Sequence, residues 1–214
     1  MSLEAITIPP TTERSPASLV VMLHGWGANC HDLAPLAPAL NLPDCLFLFP
    51  DAPFPHPQVP GGKMWYDLER EDERGLLESR QRLYDWLKSL ESSTGVPLER
   101  TILSGFSQGG AMTLDVGLQL PVAGLVSMSG YLHGEPEPTG DRLPPTLIMH
   151  GTLDPIVPLK AAHQARDRFA KLGVFLEYRE LMMGHEILPE QVEEMRTFVA
   201  EVLSGAVQPN VEKP

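Results

Sequence analysis

Short apolar segments alternate with longer amphipathic segments along this chain, and this alternation restricts its fold more than any other feature of the sequence. The apolar segments predict β-strands at residues 17–23, 45–49, 101–104, 124–128, 146–150 and 175–181, with an edge strand at 5–8. The amphipathic segments predict helices at residues 74–93, 108–119, 160–172 and 189–203.

Strands that alternate with helices predict an α/β fold, in which right-handed crossovers join mostly parallel strands and helices cover both faces of the sheet. The chain has 214 residues, of which 43% are hydrophobic, so one domain with a full core is expected. We place this domain at residues 1–204 and a flexible tail at 205–214. The proline-rich segment 50–62 predicts an irregular loop.

One serine lies among glycines at a predicted strand–helix junction. The segment Gly105-Phe106-Ser107-Gln108-Gly109 has the G-x-S-x-G spacing of a nucleophile elbow, which exposes a serine hydroxyl above the sheet. The spacing by itself is common, and an ordinary turn is the alternative. Its position after an apolar segment and before a helical one favours a nucleophile.

His185 and Asp154 each follow a predicted strand, so they would lie at the same edge of the sheet as Ser107, beyond the carboxyl ends of the strands. A serine nucleophile needs a base, and the base needs a residue that orients it. His185 is the candidate base and Asp154 the candidate acid, although Asp154-Pro155 could instead begin a turn. The competing side chains are His24, His31, His56, His133, His150, His163, Asp32, Asp51 and Asp67. For His24 and His150, which also follow strands, bonds to loop backbone are the favoured interpretation.

The same edge predicts an oxyanion hole and an apolar wall. The hole needs two donors, for which we select the backbone amides of Gln108 and Leu23. The predicted wall consists of Trp26, Phe54, Trp65, Tyr66, Ile156 and Val157. Trp65 and Tyr66 could equally anchor the proline-rich loop to the core.

The assembled motifs resemble those of the phospholipase/carboxylesterase family of α/β-hydrolases, which includes acyl-protein thioesterases. The similar segments run from about Val20 to Leu203 and read LHGWGAN, GGKMWYDL, GFSQGGAM, GTLDPIVP and GHEI. The resemblance implies an α/β-hydrolase fold, a Ser107–His185–Asp154 triad, oxyanion donors at Leu23 and Gln108, and no cofactor. Residues 129–145 are too few for a large lid domain.

The expected function is that of a serine carboxylesterase, which hydrolyses short to medium acyl esters through an acyl-enzyme. The small-molecule substrate is an acyl ester or a thioester. A thioesterase or a lysophospholipase could use the same triad. A ligand-binding homologue without catalysis is a further alternative, because a fold does not dictate a function.

Charge and composition limit the partners. The chain carries 16 Lys and Arg against 28 Asp and Glu, a formal net charge of −12, which disfavours binding to nucleic acid or to anionic lipid.

No apolar segment is long enough for membrane insertion, and no signal-peptide pattern occurs, so a cytoplasmic location is expected. The sequence contains no H-E-x-x-H spacing, so a metal site of that kind is not expected. An exposed edge strand leaves a homodimer open.

Overall fold

The computed structural model of the chain describes residues 3–70, 72–139, 142–207 and 210–211. Its strands are β1 (Ala5–Ile8), β2 (Ser18–Leu23), β3 (Cys45–Pro50), β4 (Phe54–Pro55), β5 (Lys63–Met64), β6 (Thr101–Phe106), β7 (Gly124–Met128), β8 (Arg142–Leu143), β9 (Thr146–Gly151), β10 (Leu176–Leu181) and β11 (Asn210–Val211). Its helices are α1 (Leu36–Leu40), α2 (Glu73–Thr94), α3 (Gln108–Gly117), α4 (Leu159–Lys171) and α5 (Pro189–Ser204), with a 3-10 turn at Leu98–Arg100.

Seven of these strands form one sheet, in the order β1-β3-β2-β6-β7-β9-β10. Neighbouring strands run parallel, except that β1 pairs antiparallel with β3 at one edge. Every residue of β2, β7 and β9 is buried, as expected for parallel strands that helices cover on both faces. The predicted sheet and its edge strand at residues 5–8 are therefore confirmed.

Alternate side chains of each strand enter two separate cores. On one face, Val21 of β2 packs in a cluster with Leu87 of α2 and Phe169 of α4. On the other face, Val20 packs with residues of α1 and α5, such as Phe198. This division follows from the two-residue period of a strand, which sends successive side chains to opposite faces.

Several small elements were not evident in the sequence. Helix α1 is only five residues long, and the loop predicted at 50–62 contains β4, which pairs with β5. In the segment predicted as a flexible tail, β11 pairs antiparallel with β8. Residues 208–209 and 212–214 of that tail lie outside the described residues, so its flexibility stays a prediction. No helix in the described part of the chain is long and apolar enough to cross a membrane.

The start of α3 packs unusually close to the two central strands. A Cβ atom at Gly109 would lie 2.1 Å from the carbonyl oxygen of Leu23 in β2, and one at Gly105 would lie 2.3 Å from the carbonyl oxygen of Gly109. Real side chains do not make such contacts with backbone. Glycine at both positions is therefore what allows α3 to begin directly above the sheet.

We expect Gly109→Ala to destabilise the protein by about 2 kcal/mol or more, because the backbone must move to admit the methyl group. Gly134→Ala is the matched control, since a Cβ at Gly134 meets nothing within 4 Å. Urea unfolding of the two variants and the wild type measures the difference. Equal free energies of unfolding for the two variants would show that the close approach of α3 to the sheet does not require glycine at position 109.

Candidate active site

Ser107 stands in a strained turn between β6 and α3. Its φ of 55° and ψ of −117° place a non-glycine residue in a region that L-amino acids rarely occupy. Its amide donates to the carbonyl of Met128 on the neighbouring strand β7 at 2.8 Å. The turn therefore points the hydroxyl out from the sheet while the strand and the helix on either side hold it in place.

His185 connects the Ser107 hydroxyl to the Asp154 carboxylate. Its Nε2 lies 2.9 Å from Ser107 Oγ, and its Nδ1 lies 2.7 Å from Asp154 Oδ2. These three residues follow β10, β6 and β9, so they come from three loops at the carboxyl edge of the sheet. The structure thus brings together the three residues that the sequence selected.

The Asp154 carboxylate is fully inaccessible to solvent and satisfied by hydrogen bonds. Its Oδ1 accepts bonds from the amides of Ile156 and Val157, each at 2.8 Å, which leaves Oδ2 for His185. Burial opposes its ionisation, but the hydrogen bonds from His185 and from these two amides outweigh burial and lower the pKa of Asp154. The carboxylate therefore stays charged next to the imidazole at neutral pH.

The position of His185 depends on its neighbours. A Cβ at Gly151, the last residue of β9, would lie 2.4 Å from the carbonyl oxygens of Met183 and Gly184, so a glycine there lets the histidine loop approach. The Phe106 ring lies against the imidazole, with 4.8 Å between the ring centroids. Phe106 thus both precedes the serine and supports the histidine.

Hydrogen bonds of the His24 side chain fix the peptide groups that follow β2. His24 Nε2 accepts the Ala52 amide at 3.0 Å, so the proton is on Nδ1, which donates to the Gly25 carbonyl at 2.8 Å. Because N–H and C=O point in opposite directions across a trans peptide, this bond aims the Trp26 amide away from His24. The amides of Gly25 and Trp26 donate to no acceptor in the described part of the chain.

Leu23, by contrast, lies within the sheet. It is the last residue of β2, pairs with Gly105 of β6, and is fully buried. It is absent from the residues that line the cavity at Ser107, whereas Gly25 and Trp26 line it. The sequence selected Leu23 for the second donor; in the loop that follows β2, Gly25 and Trp26 line the cavity, and their amides have no acceptor among the described residues.

The Gln108 side chain connects the elbow by hydrogen bonds to the loop that contains Trp65. It is fully buried; its Oε1 accepts the Trp65 amide at 2.9 Å, and its Nε2 donates to the Tyr66 carbonyl at 2.8 Å. Its own amide is at the N-terminus of α3, where the amides of a helix lack acceptors within the helix. That amide is available to an anion beside Ser107.

A cavity of about 420 Å³ opens at Ser107. Trp26 and Ile156 line it, as the sequence predicted. The remaining lining residues are His24, Gly25, Ala28, Asp32, Leu33, Leu68, Phe106, Ser107, His185, Glu186 and Ile187. Phe106 directly precedes Ser107, and Ile187 follows two residues after His185. Their positions beside predicted site residues were therefore a sequence signal for both. Leu33 and Leu68 carried no such signal.

The other predicted wall residues lie elsewhere. Trp65 is fully buried, and the Tyr66 hydroxyl contacts Tyr131 and His133, so both anchor their loop, which was the alternative interpretation. Phe54 lies in β4 under the Arg82 guanidinium. Val157 is buried, and its amide holds Asp154. These four residues do not line the cavity because their side chains turn towards the core or to other surface elements.

The competing histidines have other partners. His24 and His150 both bond to backbone, the latter through Nε2 to the Val157 carbonyl at 2.8 Å, which confirms the structural interpretation. His133 bonds to Asp115, and His163 to Glu180. Among the described residues, no group of three or more His, Cys, Asp or Glu side chains is arranged to hold a metal ion.

Acid should destabilise the protein through His24. Burial lowers the pKa of this imidazole below its ordinary value of 6.5, so the unfolded chain binds a proton that the folded chain excludes. The contribution of the neutral His24 imidazole to the free energy of unfolding should therefore be fully present above about pH 6.5 and be lost as the pH is lowered.

The experiment compares urea midpoints at pH 7 and pH 5 in wild type, His24→Asn and His31→Asn. The His24 variant should be less stable at pH 7 but lose less stability in acid. The exposed His31 serves as the control and should keep the wild-type dependence. An unchanged dependence in His24→Asn would contradict this origin.

Comparisons with known proteins identify the family to which the chain belongs. Residues 6–203 match the family model described as phospholipase/carboxylesterase. Acyl-protein thioesterase 1 of Neurospora crassa is 29% identical over 232 aligned residues, which cover 95% of this chain and 94% of that protein. The solved structure of esterase PE8 is 31% identical and superimposes with a TM-score of 0.87, over 95% of this chain and 100% of that chain.

A plant structure extends the likeness. Arabidopsis thaliana SOBER1 is 25% identical and superimposes with a TM-score of 0.76, over 87% of this chain and 99% of that chain. The family match spans nearly all of the described sheet and every residue of the Ser107–His185–Asp154 arrangement. The chain belongs to the phospholipase/carboxylesterase family and is a hydrolase with the α/β-hydrolase fold.

Proposed function

We propose that the protein is a serine carboxylesterase in which Ser107 is the nucleophile, His185 the general base and Asp154 the residue that orients the base. The observation that carries this proposal is the continuous hydrogen-bonded chain from Ser107 Oγ through His185 to Asp154 Oδ2, at the base of an open cavity. Nucleophile, base and orienting group in mutual contact are the geometric signature of covalent acyl transfer.

Acylation begins when Ser107 Oγ attacks the carbonyl carbon of the ester and His185 Nε2 takes the hydroxyl proton. The carbonyl oxygen becomes an oxyanion in the tetrahedral intermediate. As the intermediate collapses, the bond to the leaving alcohol breaks and His185 returns the proton to that alcohol. Asp154 stays ionised and stabilises the imidazolium that forms between these steps.

Deacylation repeats the same sequence with water. His185 takes a proton from a water molecule, whose oxygen attacks the acyl-enzyme carbonyl. The bond to Ser107 then breaks, and the serine recovers its proton from His185, which releases the carboxylic acid.

We assign the oxyanion hole to the Gln108 amide and the Trp26 amide, in place of the Leu23 amide. Neither selected amide has an acceptor among the residues that the structure describes, and both adjoin Ser107, one after the elbow and one in the loop that lines the cavity. Removing one such donor typically costs about 3 kcal/mol of transition-state stabilisation.

The size of the cavity supports short to medium acyl groups. Its volume of about 420 Å³ lies towards the lower end of the range of about 300–1,000 Å³ that small-molecule sites occupy. Apolar side chains of Trp26, Leu33, Leu68 and Ile156 line it. A thioester is the second candidate substrate, because acyl-protein thioesterase 1 of Neurospora crassa resembles this chain over nearly its whole length.

Replacing the nucleophile tests the mechanism directly. Ser107→Ala should lower kcat for a p-nitrophenyl ester by at least about 10⁴-fold, because the remaining groups cannot form the acyl-enzyme. A fluorophosphonate probe should label the wild type and not the variant. Ser104→Ala is the matched control, since the hydroxyl of that buried serine bonds, among the described residues, only to the Val21 carbonyl. Absence of labelling in folded wild type would favour the non-catalytic alternative.

A graded substrate panel tests the acyl preference. We expect kcat/KM to be highest for acyl chains of about four to eight carbons and to fall for longer ones, which exceed the cavity. Acyl thioesters and a lysophospholipid of matched chain length, measured beside the esters, distinguish the leaving groups. Preference for long-chain triacylglycerol emulsions would contradict the proposal.

A further inference from the structure

The Trp65 side chain lies behind the cavity and outside its lining. It is fully buried, yet both of its N–H groups have specific acceptors. The backbone amide donates to Gln108 Oε1 at 2.9 Å, and the indole Nε1 donates to the His24 carbonyl at 3.1 Å. Its own carbonyl accepts the Ser79 hydroxyl of α2. Trp65 therefore connects α2 to the loop after β2 and to the first residue of α3.

The loop after β2 and the start of α3 form the two sides of the proposed oxyanion hole. Gln108 provides one donor amide, and its side chain is held by the backbone at Trp65 and Tyr66. His24 precedes the Gly25–Trp26 segment, in which the Trp26 amide is the other donor. The Trp65 indole holds the His24 carbonyl, and the His24 ring holds the Gly25 carbonyl, whose planar peptide group contains the Trp26 amide.

The separation of the two donors matters because an oxyanion must meet both at hydrogen-bond distance. The loop after β2 has no regular structure where it faces the cavity, and Gln108 is only the first residue of α3, so the position of each donor depends on contacts outside its own element. His24 supports the Gly25 carbonyl, but no hydrogen bond joins His24 to Gln108 directly. In the described part of the chain, Trp65 is the residue that hydrogen-bonds to both.

Packing alone does not account for this arrangement. Trp86 in α2 is also a buried tryptophan, with 6% of its surface exposed, and it packs in the same apolar core as Trp65. No described residue accepts a hydrogen bond from its indole. The Trp86 N–H is not among the buried donors without a partner, so it is not sealed from solvent, whereas the fully buried Trp65 N–H is directed to the His24 carbonyl beside Ser107.

We propose that Trp65 is a positioning residue that sets the distance between the two sides of the oxyanion hole. The inference rests on the proposed function and adds to it a residue that touches neither substrate nor the triad. It acts through the His24 carbonyl and the Gln108 side chain. Its loss should weaken binding of the transition state and leave binding of the uncharged substrate nearly unchanged.

The test compares Trp65→Phe with the matched variant Trp86→Phe. Both substitutions remove an indole from the same core, but only the first removes a hydrogen bond to a loop of the oxyanion hole. The measurements are kcat and KM for p-nitrophenyl butyrate, and the inhibition constant of a trifluoromethyl ketone. In that inhibitor Ser107 Oγ bonds to the carbonyl carbon, His185 takes the proton, and the ketone oxygen becomes an oxyanion.

Trp65→Phe should lower kcat by about 10- to 100-fold with little change in KM, since small displacements of catalytic groups have effects of this size. The inhibition constant of the trifluoromethyl ketone should rise by the same factor. An isosteric methyl ketone, which stays largely uncharged, should bind as it does to the wild type. Trp86→Phe should change none of these values, although its melting temperature falls.

A second variant removes the donor alone. Replacing Trp65 by β-(3-benzothienyl)alanine puts sulfur in place of the indole N–H with nearly the same volume, so the core stays filled if Trp65→Phe fails to fold. The same parallel loss of kcat and of trifluoromethyl ketone affinity is expected.

Wild-type kcat in the benzothienyl variant would overturn the proposal, as would equal losses in Trp65→Phe and Trp86→Phe. A rise in KM alone would also overturn it, because it would indicate a role in substrate binding. Failure of the proposed function itself would be seen separately, as turnover that persists in Ser107→Ala.

Discussion

The close approach of helix α3 to strands β2 and β6 is the constraint on which the rest of the site depends. Gly105 and Gly109 allow it, because a Cβ at either position would overlap backbone atoms of the neighbouring element. The approach forces the chain through the strained turn at Ser107, and it brings the N-terminus of α3 beside the loop after β2. The Ser107 hydroxyl and the first amides of α3 therefore owe their positions to one packing contact. The strain is tolerated because the surrounding sheet and helix are buried on all sides and cannot relax independently.

Around this contact, the hydrogen bonds that satisfy the buried side chains of Asp154 and His24 also orient the groups at the cavity. The Asp154 carboxylate is fully buried, but two backbone amides and His185 satisfy it, so it remains charged and directs one oxygen to the imidazole. His24 is buried and bonded to backbone through both ring nitrogens. Leaving any such group without a partner would cost about 1–3 kcal/mol, so the hydrogen bonds that stabilise the fold are the same ones that fix the geometry of the site.

Aromatic residues near the site divide into two roles that their sequence positions did not distinguish. Trp26 lines the cavity, whereas Trp65 and Tyr66 lie behind it and join loops to α2, α3 and the segment after β7. A tryptophan combines a large apolar surface with one donor, so it can serve either purpose. Which role it takes depends on the direction of its Cα–Cβ bond relative to the sheet. That direction is set by tertiary packing and is not visible in a motif.

Periodicity, glycine spacing and position after a strand are local properties of a sequence. They were enough to predict the segments of the central strands, the elbow turn, and Ser107, His185 and Asp154 as one cluster. They did not predict helix α1, the pairing of β4 with β5 or of β8 with β11, or most of the residues that line the cavity. Those features depend on contacts between segments far apart in the chain, whose side chains meet only after the sheet has formed. The loop after β2 illustrates the difference. The sequence selected Leu23 at its start, whereas the hydrogen bonds from the His24 ring and from the distant Trp65 indole orient the peptide groups of Gly25 and Trp26, which line the cavity.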